Sequence, residues 1–106
     1  MQVFFIQYEV RPLPDSDHFE GAGGAYANCL VRAASGDEAA AVATSELRDS
    51  GWEIVALEEG PLPVHRQDYL DAAPEWLEAF DAAVEDGASF ALHTWPNEAQ
   101  EDDVLH

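Results

Sequence analysis

Apolar and polar positions alternate most clearly at the start of the chain. Residues 3–10, VFFIQYEV, are β-branched and aromatic-rich, which predicts a strand. Phe4, Ile6, Tyr8 and Val10 share one face, the expected core face, and Val3, Phe5, Gln7 and Glu9 share the other. Residues 25–34, AYANCLVRAA, predict a second strand with a small-residue face (Ala27, Cys29, Val31, Ala33) and a mixed face (Tyr26, Asn28, Leu30, Arg32). Residues 11–24 between them, RPLPDSDHFEGAGG, carry proline and glycine without a period and predict a loop. Loops this long inside a compact domain are often functional. The first two strands are expected to pair antiparallel through it.

The period then changes to that of a helix. Over residues 36–50, Ala39, Ala43 and Leu47 recur at four-residue spacing. Ser35 and Glu38 stand at capping-box spacing, and Gly51 supplies a stop. Residues 52–59, WEIVALEE, predict a third strand, and its uninterrupted apolar centre suits an interior position. Pro61 and Pro63 predict a turn or irregular extended segment over 60–66. One helical turn fits 67–73. Pro74 and Gly87 bracket a second helix in which Trp76, Leu77, Phe80, Ala83 and Val84 share a face. Residues 88–95, ASFALHTW, predict the last strand, and 98–106 an acidic flexible tail after a single domain at 1–97.

The order β-β-α-β-α-β implies an α+β fold. The expected form is a two-layer α/β sandwich with a mixed four-stranded sheet and, by right-handed crossovers, both helices on one face. It is ferredoxin-like in content but not in chain order. Such a plan leaves the other sheet face bare. Phe5, Gln7, Leu30, Arg32, His93 and Trp95 are the residues expected on it, and a second copy or another partner is expected to cover them.

Charge adds a second feature. Asp and Glu total 22 against four basic residues, all arginine, for a formal charge of −18. Direct nucleic-acid binding and anionic membrane surfaces are disfavoured, because both need clustered positive charge. Basic partners are favoured, although the acidity equally suits a composition set by the host. Glu78, Asp81 and Glu85 form an acidic stripe along the second helix that, with Asp71 and Glu75 nearby, could receive such a partner. The start of the chain lacks a basic n-region and a cleavage site, no run is long enough to span a bilayer, and the expected location is cytoplasmic.

Candidate chemistry is sparse. His18, His65, His93 and His106 are scattered, with no metal-ligand spacing among them. Asp15, Asp17, His18 and Glu20 make the one local ligand loop, without a calcium-loop pattern. Gly21, Gly23 and Gly24 lack phosphate-loop spacing and precede a strand rather than a helix. Cys29 lies in an apolar run and reads as a buried thiol. No catalytic residue, cofactor or metal is expected. The expected function is a non-enzymatic, homodimeric interaction module. The alternatives are an enzyme or small-molecule binder, with a pocket near residues 11–24 drawing on Tyr8, Tyr26, His18, His65, His93 and Trp95, and a weak metal-binding domain.

Overall fold

Six elements form where the hydrophobic periods predict them, in a computed structural model that describes residues 1–14 and 23–95. They are β1 (Gln2–Pro12), β2 (Gly24–Ala33), α1 (Gly36–Asp49), β3 (Trp52–Val64), α2 (Pro74–Asp86) and β4 (Ala88–Trp95), with a short 3-10 turn at Arg66–Tyr69 before α2. The chain is an α+β sandwich. The strands lie in the order β3-β1-β2-β4.

Local chemistry sets the helix ends. Ser35 Oγ accepts from the Glu38 amide at 3.2 Å, and the Glu38 carboxylate accepts from the Ala34 amide at 3.2 Å. Four amide donors at a helix start lack intrahelical partners, so this reciprocal cap stabilises α1 by about 1 kcal/mol. Gly51 (φ 94°) and Gly87 (φ 99°) end the two helices in the left-handed region, where a side chain is strained.

Two details of the expected plan are corrected. Every pairing in the sheet is antiparallel: β1 with β2, β1 with β3, and β2 with β4. The sheet is therefore not mixed. The helices also lie on opposite faces. Phe4, Ile6, Tyr8 and Val10 of β1 and Ala27, Cys29 and Val31 of β2 pack with Ala39, Ala43 and Leu47 of α1. Val3 of β1 and Leu30 of β2, from the other side of the pleat, pack with Phe80 and Ala83 of α2. The crossover rule governs parallel strands, and of the two helical links it applies only to the one from β2 to β3. The pairings make β3 and β4 antiparallel, at opposite edges of the sheet. Their connection is free to carry α2 across the second face.

β3 is an edge strand rather than an interior one. Val55 and Leu57 in its apolar centre are about half exposed, at 48% and 54%. The strand continues through Pro61 and Pro63 to Val64, with register shifts between Phe5 and Gln7 and at two further points. An edge tolerates those prolines because one side of its backbone needs no ladder partner. At Gly60 (φ +83°) a Cβ would lie 2.2 Å from the Phe5 carbonyl oxygen, so only glycine fits the irregularity.

The two edges differ in kind. β3 carries bulges, two prolines and Glu58 and Glu59, all devices that blunt an edge. β4 pairs with β2 in unbroken register from Gly24↔Trp95 to Val31↔Ala88 and contains no acid, proline or bulge. The Arg32 amide donates to the Gly87 carbonyl at 2.8 Å, one residue beyond that register. Antiparallel alternation then turns the odd residues of β4 toward β2 and leaves the backbone groups of Ala88, Phe90, Leu92 and Thr94 facing outward.

Candidate functional site

α2 lies over β2 and β4 and leaves a cavity beneath its first turns. Its volume is about 350 Å³. Buried Asn28 and Leu30 of β2 form its floor, half-buried Trp76, Ala79 and Ser89 its walls, and exposed Glu75, Ala91 and His93 its mouth. The Ser89 hydroxyl donates to the Ala79 carbonyl at 2.7 Å and ties β4 to α2 at the wall.

Trp76 separates this cavity from a second one of about 250 Å³, lined by Phe5, Asp68, Tyr69 and Ala72 on its far side. The indole is held on two sides. It stacks on Tyr69 at 5.8 Å and 3°, meets Phe5 edge-on at 6.0 Å, and Tyr69 in turn rests against Phe80 at 5.9 Å. Such aromatic pairs add stability beyond the area they bury, so this wall is rigid. Burial raises the Tyr69 phenol above its ordinary range, and the neighbouring Asp68 carboxylate adds to the shift.

Among the described residues, Asn28 is the one buried polar or charged side chain outside the hydrophobic core residues, 7% exposed. Gln7 Nε2 donates to its Oδ1 at 2.8 Å. That bond fixes the carboxamide, and the residue lines the cavity. Nδ2 is therefore a donor presented to the cavity. Sequence reading passed over Asn28. Its signal was a polar side chain in a strand otherwise built of apolar residues, opposite Gln7 across β1.

The residues expected on a bare face have divergent fates. Leu30 is buried under α2, Phe5 is half-buried beside Trp76, and Gln7 is held by Asn28. Arg32 is exposed and donates to the Val84 carbonyl in the last turn of α2, where a cation complements the helix dipole. His93 is exposed at the cavity mouth, and the Trp95 side chain lies outside the described residues. The face therefore has a cover within the chain, contrary to the expectation, because α2 crosses it.

The acidic stripe is solvent-facing throughout: Asp71, Glu75, Glu78, Asp81 and Glu85 are all exposed. Arg66 meets Asp81 at 3.0 Å, and that carboxylate raises the guanidinium pKa through a hydrogen bond and its charge. Asp15, Asp17, His18 and Glu20 lie outside the described residues, as does the tail at 98–106. Among the described residues, no group of three or more His, Cys, Asp or Glu side chains is arranged to hold a metal ion. No helix there is long and apolar enough to cross a membrane. Of the residues foreseen for a pocket, the structure brings His93 to the cavity and pairs Tyr26 with it across the β2–β4 ladder, whereas Tyr8 is buried on the α1 face. His65 sits apart, before the 3-10 turn.

Comparison with protein families, curated proteins and solved structures finds no match to this chain. The two features with chemical content are thus the cavity beside Trp76 and the unblunted edge of β4.

Proposed function

We propose that this chain is a cytoplasmic, non-enzymatic interaction module that pairs with a second copy of itself along the outer edge of β4. One observation carries the reading: in a chain of 22 acids, the eight-residue β4 is, among the described residues, an outer edge strand with Phe90 to His93 exposed and no acid, proline or bulge. Such an edge is a ready template for another strand. A second copy is the occupant that fits. With a formal charge of −18, two copies repel over most of their surface, and β4 is a stretch where they do not.

The alternation of β4 is also self-complementary. A two-fold axis through Ala91 sets Phe90 opposite the partner's Leu92 and Leu92 opposite the partner's Phe90, with their outward backbone groups in register. Phe90 and Leu92 are 36% and 38% exposed in the single chain, and this pairing covers both. Cross-strand apolar pairs of this kind each stabilise by up to about 1 kcal/mol.

Light scattering during gel filtration at micromolar concentration tests the reading. The wild-type chain should elute at twice its 11.6 kDa, and Leu92→Glu should elute as a folded monomer. An 11.6 kDa wild type at those concentrations removes the proposal.

The exposed stripe from Asp71 to Glu85 supports a further contact, with a basic protein surface, on the side of α2 turned away from the sheet.

A further inference from the structure

We infer that the cavity between α2 and β4 is a binding site for a small, uncharged, planar aromatic molecule carrying a hydrogen-bond acceptor, with Asn28 Nδ2 as the donor that orients it. Size comes first. A volume of about 350 Å³ falls at the small end of the range of ligand pockets and suits one or two rings. Wall chemistry comes next. Leu30 and Ala79 are apolar, and Trp76 is locked flat against Tyr69, so the site is a pre-formed slot rather than one that must be ordered on binding.

Polarity at the floor sets the acceptor. Asn28 is more than nine-tenths buried, its oxygen is already engaged by Gln7, and it lines the cavity, so its nitrogen is the polar atom left to face an occupant. A carbonyl or ring nitrogen from an occupant would accept a hydrogen bond from it. Ser89 cannot supply a competing donor, since its proton is committed to the Ala79 carbonyl. Charge sets the last constraint. Glu75 stands at the mouth and the chain carries −18 overall, so an anionic acceptor is repelled where a neutral one is not.

The site is contained in one chain and does not depend on pairing through β4. Benzamide is a suitable probe, with benzoate as its anionic counterpart, followed in two-dimensional 15N–1H NMR spectra. Benzamide should shift the Asn28 side-chain NH2 signals and the Ala79 and Ala91 amides saturably, with a Kd on the order of millimolar. Benzoate should bind at least tenfold more weakly. Asn28→Asp keeps the acceptor for Gln7 while removing the donor, and should weaken benzamide at least tenfold. Ala91→Trp fills the mouth from an exposed position and should abolish the shifts. In the Leu92→Glu background the same benzamide affinity is expected, which separates this site from self-association. The inference is overturned by any of three results: no shift at these signals up to about 10 mM benzamide, equal affinity for benzoate, or undiminished binding to Ala91→Trp.

Discussion

Cys29 illustrates how far a single residue can be read. It was legible as a buried thiol because small and apolar residues alternate around it, and it is buried completely between β1, β4 and α1. Burial pushes its pKa up to about 12. Native protein at pH 8 should therefore resist a thiol-specific disulfide reagent, and chain unfolded in guanidinium should react at once, as followed by absorbance. The same shift makes stability pH-dependent. Above pH 9 the unfolded thiol loses its proton while the folded one keeps it, so the unfolded state binds fewer protons and stability falls as pH rises toward about 12. The slope from this group is at most about 1.4 kcal/mol per pH unit. Tyr8, raised mainly by burial and also by Cys29, acts in the same sense at higher pH. Denaturant melts of wild type and Cys29→Ala across pH 8–11 check this, and the variant should have the shallower fall. Asn28, one residue away, was not legible, because its meaning depends on Gln7 across the sheet and on α2 above it.

At the level of elements, the helices, the strands and their order follow from the period of the apolar positions, and the caps from Ser35, Gly51, Pro74 and Gly87. The side of the sheet taken by α2 did not follow. Val3, Phe5 and Leu30 had already made the second face apolar, and that pattern asks for a helix on each side. Crossover handedness constrains only links between parallel strands and so does not place α2. β3 likewise departs from the interior position its apolar run suggests, since a run of its length is equally consistent with an edge whose blunting lies further along, at Gly60 to Pro63. The packing of α2 gives a direct test. Phe80 is its principal buried anchor, against Val3, Leu30 and Tyr69. Phe80→Ala should lower unfolding free energy by about 3–4 kcal/mol in urea titrations, the usual cost of an aromatic removed from a core. A loss below about 1 kcal/mol would mean that α2 contributes little to holding the sheet.

Across the whole molecule, charge and apolar surface are segregated. Acids crowd the outer side of α2, whereas β4 has none. A basic partner should therefore choose α2. Binding of an oligolysine peptide at low salt, measured by calorimetry, should weaken several-fold when Glu78, Asp81 and Glu85 are replaced together by lysine, and an unchanged affinity would assign the attraction to overall charge alone. The strand order has a further consequence, for biogenesis. β1 is central and is translated first, and the chain through Val64 already contains both of its neighbours. β2 is different: its outer ladder stays open until Ala88–Trp95 leaves the ribosome. During that interval the nascent chain presents β2 as its unguarded edge, and the arrival of the last strand moves that vulnerability outward to β4.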